Sequence, residues 1–394
     1  MNVGTETGRL SSDLDLFTDA ALAEPYEAYR VLRNLGDAVW MTRYKMYALP
    51  RYASLKAALA NDSTFVSGEG VMLNEKMNAQ LKGITLCSDG EAHSVMRRVI
   101  AKPLGITALR QLTAEIESEA NGLVDRLLKR GRFDAVGDFA QYLPVTIVSN
   151  LVGLPTEGRE RMLEWARANF NCFGPLNDRT LGAVPIVGEM IDYARTECVP
   201  GKLKPDGWAQ MIWDAADRGE IRHDQCSGMM NDYMGPSLDT TIAAASNLIM
   251  QFAAFPKQWE HLCNSPSLIP NAINEGVRLD SPILLFSRYV AKDVEIEGIQ
   301  IAAGSRVLMM YASANRDERK WENPDAFDIQ RRLIDHLGFG FGPHQCVGAN
   351  LARLEITSLF KAMVGRVKRF EVHSSERVLN NMLRLYSHID VSVH

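Results

Sequence analysis

The chain has 394 residues, of which 46% are hydrophobic and 23% charged, with a formal net charge of −5. That is long enough to bury a substantial core without staples, and the charges are spread with no run of one sign, which excludes a nucleic-acid groove or a polybasic membrane patch and leaves small molecules and proteins as partners. The six cysteines (Cys87, Cys172, Cys198, Cys226, Cys263 and Cys346) stand far apart with no CxxC pair, excluding a disulfide scaffold and a zinc site.

The first residues, MNVGTETGRLSSDLD, lack an apolar stretch after a basic start and are not a secretory signal. From Glu24 to about Gly201, helical periodicity dominates, in EPYEAYRVLRNLG, ALRQLTAEIESEANGLVDRLLKRG, PTEGRERMLEWARANF and the stretch to EMIDYARTEC. Alternation in VWMTRYKMYALPRY predicts a hairpin. A second helical block spans about Asp206 to Asp280. Within it the apolar stretch from Thr240 to Pro256 is broken by Ser246, Asn247 and Gln251, which suits a buried helix better than a membrane span of about 20 residues. A cytoplasmic protein is expected. After Pro282 the texture changes to short strands, RYVAKDVEIEGIQIAAGSRVLMM, with turns at Glu297-Gly298 and Ala303-Gly304. A loop, RDERKWENPDAFDIQRRLIDH, leads to a glycine-rich segment and a last long helix, ANLARLEITSLFKAMVGRV. No repeat or linker divides the chain, so one mainly α domain with a smaller β-rich part is expected over residues 1–394.

The most informative segment is HLGFGFGPHQCVGANLARLE, His336 to Glu355. Gly338, Gly340 and Gly342 before Cys346, and Gly348 after it, let backbone run close to a flat ligand and take positive φ. Cys346 falls at a helix N-terminus, where dipole and free N–H groups favour a thiolate. A thiolate on iron favours O–O cleavage. Two other readings stand beside this one: an incidental buried cysteine in a glycine-rich turn, or a phosphate loop with a cysteine nucleophile. The phosphate reading wants an aimed lysine or arginine, whereas this loop offers Phe339, Phe341 and Pro343. Aromatics suit a porphyrin face better.

The pattern Phe339-x-x-Gly342-x-x-x-Cys346-x-Gly348, with His344 two places before the cysteine, resembles the haem-binding signature of cytochromes P450. The resemblance implies a P450 fold, with haem b (iron protoporphyrin IX) between a distal long helix and the helix after the cysteine loop, and Cys346 as metal ligand. Other family elements follow in order. Glu275-Gly276-Val277-Arg278 matches the ExxR helix, although an isolated pair at this spacing is more often a solvated surface contact. Arg331 or the adjacent Arg332 would complete its ion network. Arg288 matches the arginine that binds a haem propionate, and His93, Arg97 and His344 join it as further propionate partners. NPDAFDI is similar to the meander before the cysteine loop.

In YMGPSLDTTIAA, Asp239 and Thr240 match the family's acid–alcohol pair on one continuous long helix. A carboxylate beside a hydroxyl can deliver protons through water during oxygen activation, and the hydroxyl would bond a backbone carbonyl and disturb the helix. An alternative is that Asp-Thr-Thr caps a second helix. The sequence departs from the family here: Pro236 and Ser237 replace the usual Ala-Gly, with Gly235 one place earlier. A kink at the proline is expected. This Pro-Ser version is similar to a bacterial branch often fused to its reductase; the partner here would be separate.

By resemblance, the reaction is insertion of one oxygen atom from O2 into a small organic substrate. Two electrons would come from NAD(P)H through a ferredoxin and ferredoxin reductase, or a flavoprotein, giving hydroxylation or O-dealkylation. No nucleic acid or membrane partner is implied. The substrate pocket would draw on Leu73, Phe173, Gly235, Pro236, Leu284, Phe286 and Leu385, mostly apolar and partly aromatic, which suits a small aromatic or alicyclic substrate. Between Ser67 and Ser88 only Lys76 and Lys82 are cationic, so no fixed carboxylate anchor is expected. A peroxygenase of the same fold should lack the acid–alcohol pair. A haem-based sensor would carry an output module, and a cysteine hydrolase would need a better-placed base than His344.

Overall fold

Helix Ile106–Arg130 shows how pattern becomes packing: Leu109, Ile116, Ala120, Leu123, Val124 and Leu127 fall on one stripe and are buried. The helix stops where Gly131 takes φ 70°, a left-handed cap that costs glycine nothing. Its apolar stripe faces helix Ala349–Met363, and below the pair lies an aromatic cluster in which Trp259, Phe252 and Phe360 meet at centroid distances of 4.9–6.3 Å. The computed structural model describes residues 3–6, 9–332 and 335–394. Part of the N-terminal stretch, and Leu333 and Ile334 of the loop expected before the glycine-rich segment, lie outside the described residues.

The expected hairpin is present as strands Val39–Met41 and Met46–Leu49. They belong to a seven-stranded sheet whose order runs from the N-terminal strands through this hairpin to Arg306–Met309, Phe286–Val290 and Phe65–Val66. Strands Val294–Ile296 and Ile299–Ile301 form the small hairpin expected at Glu297-Gly298. Both turn residues have positive φ, 46° and 80°, which matches the right-handed twist of the flanking strands. A third sheet pairs the ten-residue strands Phe370–Leu379 and Arg384–Val393 with Arg132–Asp134. Among the described residues no helix is long and apolar enough to cross a membrane.

Where one long distal helix was expected, the chain forms two, His223–Met234 and Asp239–Ala254. Pro236 has no N–H to continue the ladder. The Ser237 hydroxyl instead bonds the freed carbonyl of Tyr233, and Thr240 Oγ1 donates to the Pro236 carbonyl at 2.8 Å. The expected kink is thus a full interruption of four residues. Asp239 opens the second helix but does not cap it, since no side chain bonds its first N–H groups.

Candidate active site

Two glycines of the cysteine loop are there for space. A Cβ on Gly342, whose φ is +73°, would lie 2.4 Å from the Leu59 carbonyl oxygen, and one on Gly338 2.4 Å from Val277. The loop therefore packs directly against its neighbours, and the Cys346 N–H closes it by donating to the Phe339 carbonyl at 2.8 Å. Gly348 then begins helix Ala349–Met363, leaving the Cys346 side chain open to a cavity. Burial pushes this thiol up. The N–H groups of Gly348 and Ala349 and the cations of Arg97 and Arg353 pull it down, without overcoming the burial. The helix terminus acts in the expected direction, but alone it does not make a thiolate. Phe339 beside it lies 4.2 Å under the Arg353 guanidinium.

The same cavity is lined by His93, Arg97, Arg288 and His344. Helix Gly90–Ala101 carries the first two one turn apart, and strand Phe286–Val290 carries the third. The His93 and His344 rings stack at 4.0 Å. Burial, helped by His344 and Arg97, pushes His93 down to about 4. His344 reaches Asp89 at 3.5 Å, yet burial still lowers it. Arg97 and Arg288 make no ion pair among the described residues; they bond the backbone carbonyls of Gln345 and Ser287. Two arginines with no carboxylate in ion-pair contact beside one cavity are expensive unless a ligand supplies anions. A flat group with two carboxylates and a metal over a thiol meets that demand, so the residues present fit haem.

On the opposite wall stand Pro236 and Thr240. Asp239 lies behind them, fully buried, with one oxygen 3.4 Å from Arg167 Nε and the other without a partner. Burial raises its carboxyl to about 6, against the pull of Arg167. Arg167 is itself 30% exposed, so the pair links the cavity wall to solvent.

Glu275 and Arg278 are wholly buried and joined by two bonds of 2.7 and 2.9 Å. Arg331 Nε completes the network at 3.1 Å from Glu275, while Arg332 is exposed. Arg278 also donates to the carbonyls of Asn315, Pro324 and Ala326, pinning the meander under the cysteine loop.

Of the pocket residues suggested by resemblance, Phe173, Pro236 and Phe286 line the cavity. Phe173 bridges Phe170 and Phe286 at 5.7 and 5.8 Å. Leu73, Leu284 and Leu385 are buried and outside its lining. Gly235 lies behind it against Asn169 and Asn231. Several lining groups carried no sequence signal. Glu355, on the Ala349 helix, is buried with one oxygen unpaired, and burial holds its carboxyl well above the carboxylate range. Asn169, Asn231 and Asp232 also line the cavity.

The cytochrome P450 family model matches residues 256–388. Cytochrome P450 CYP199A2 of Rhodopseudomonas palustris is 34% identical over 376 residues, covering 94% of this chain and 91% of that protein. Cyclomarin C epoxidase CymV of Salinispora arenicola is 29% identical, covering 89% of each. The crystal structure of Mycobacterium marinum CYP268A2 in complex with pseudoionone superposes with a TM-score of 0.86 at 25% identity, covering 98% of this chain and all of that one. The chain belongs to the cytochrome P450 family of haem b monooxygenases, which act on small molecules with O2.

Proposed function

We propose that Cys346 is the thiolate ligand of the haem iron, in one haem domain spanning residues 1–394. The enzyme hydroxylates or O-dealkylates a small aromatic or alicyclic substrate, taking electrons from NAD(P)H through a separate ferredoxin and reductase. The observation that carries this reading is the convergence, on one cavity, of a thiol at a helix N-terminus with two arginines that have no anionic partner.

Bound haem supplies an iron centre for oxygen activation, and a coordinating thiol is deprotonated outright. Arg97, Arg288, His93 and His344 hold its carboxylates. The N–H groups of Gly348 and Ala349, with Arg97 and Arg353, stabilise charge on the Cys346 sulfur. Thr240 presents its hydroxyl to the opposite wall while bonded to the Pro236 carbonyl. Burial raises the Asp239 carboxyl to about 6, so it takes up and gives back a proton within reach of neutral pH, and Arg167 connects it to solvent. Phe170, Phe173 and Phe286 exclude water and orient an aromatic ring.

Turnover of methoxylated aromatics with NADH, ferredoxin, reductase and isotopically labelled O2 tests the reading. Label in a hydroxylated product, or formaldehyde from the ether with NADH consumed, is expected. Turnover supported by hydrogen peroxide but never by NADH and O2 would favour a peroxygenase.

A further inference from the structure

Away from the cysteine loop, the cavity has a polar corner built by helices Met162–Cys172 and His223–Met234 and the turn Thr85–Cys87. Asn169 is only 2% exposed, and its Oδ1 has no partner; Asn231 Oδ1 has none either. The two carboxamides converge over Gly235, where a Cβ would lie 2.6 Å from Asn169 Nδ2 and 3.2 Å from Asn231 Oδ1. Beside them Asp232 accepts from the Thr85 hydroxyl at 2.6 Å. Burial pushes this carboxyl up to about 7, against the pull of Thr85 and Arg97. No lysine or arginine of these three elements lines the cavity. The nearby candidates are occupied: Lys82 pairs with Glu69 and Arg167 with Asp239.

A buried acceptor without a donor is a standing cost, and in a cavity wall a donating ligand relieves it. Turning a carboxamide over exchanges its acceptor for a donor; Asp232, raised to about 7, accepts in its charged form and gains a donor only by taking up a proton, which a neighbouring ammonium opposes and an anion would require. An anion placed here would meet the charged form of Asp232, and the cation that reaches it, Arg97, belongs to the haem-carboxylate set. The cavity's free cations are those that hold the haem carboxylates.

We propose that Asn169, Asn231 and Asp232 form a head-group subsite that selects aromatic substrates bearing a hydrogen-bond donor, an ammonium or a hydroxyl, opposite the oxidised carbon, and rejects a carboxylate there. This rests on the monooxygenase reading above.

The test is equilibrium binding to the haem-loaded enzyme, followed by the low-spin to high-spin shift and by calorimetry. The probes are para-methoxybenzylamine, para-methoxybenzyl alcohol, para-methoxytoluene and para-methoxybenzoate. The amine or the alcohol should bind about tenfold or more tighter than the toluene, and the benzoate about tenfold or more weaker. Which of the two donors leads identifies ammonium or hydroxyl. Asp232→Asn should shrink the gap between donor and benzoate to a few-fold. Benzoate binding as tightly as the donors, no ranking at all, or a ranking unchanged in Asp232→Asn would overturn the proposal. So would a spectrum showing the amine nitrogen on iron, since the head group would then point the wrong way. If the variant does not load haem, the wild-type series still decides. Failure of the underlying reading would show separately, as wild-type protein without haem uptake.

Discussion

Replacing Glu275 by glutamine keeps its shape and removes its charge from a site with no access to water. Glu275 accepts four hydrogen bonds: two from Arg278 at 2.7 and 2.9 Å, one from Arg331 at 3.1 Å and one from the Asp328 N–H at 3.0 Å. The amide oxygen could keep the three that converge on Oε1. The amide nitrogen would face the Arg278 Nε–H, donor against donor. Arg278 is wholly buried and Arg331 is 12% exposed, so two guanidinium charges would lose their carboxylate in a low-dielectric site. Breaking a buried pair in this way costs about 3–5 kcal/mol, with the retained bonds placing the change toward the lower figure. The assay is urea unfolding at fixed haem loading, comparing Glu275→Gln with Arg331→Gln, whose partly exposed charge should matter less. A loss below about 1 kcal/mol for Glu275→Gln, the value of an exposed pair, would refute the view that this network fastens the meander to the haem-side core.

Thr240→Ala removes the hydroxyl at the cavity wall and should leave haem binding intact. Product formed per NADH should fall about tenfold or more while peroxide accumulates, given the usual size of a proton-delivery contribution; unchanged coupling would count against its role. Arg167→Gln removes the cation that lowers the Asp239 carboxyl from where burial alone would set it. The ionisation near pH 6 should therefore move upward in the pH profile of turnover, and a downward or absent shift would contradict the assignment. Gly342→Ala forces a Cβ against the Leu59 carbonyl at a backbone angle that disfavours side chains. It should destabilise the holoprotein by about 1–3 kcal/mol, read as an earlier thermal release of haem.

The helices with one buried stripe, the hairpin at residues 39–49 and the Glu297-Gly298 turn were legible because each rests on a local pattern. The long strands Phe370–Leu379 and Arg384–Val393 were not. Arg377 and Arg384 interrupt their alternation, and the reason is distant: both cations pair with the buried Asp280. Pro236 announced a kink, but the extent of the break depends on how the Ser237 and Thr240 hydroxyls serve the freed carbonyls. At the site, Cys346 and its glycines carry their chemistry in sequence spacing. Glu355, Asn169, Asn231 and Asp232 do not, since on a helix such residues read as solvated positions until tertiary packing buries them. Leu73, Leu284 and Leu385 show the reverse: apolar residues near a pocket in sequence logic that pack into the core around it.

The most direct test of the central claim is the carbon-monoxide difference spectrum of the reduced, haem-loaded protein, wild type against Cys346→His. The wild type should show the strongly red-shifted Soret band of a thiolate-ligated haem, and the variant should keep haem but lose that shift. An unshifted band in the wild type, or a shifted one that survives in Cys346→His, would contradict the assignment of the sulfur to the iron.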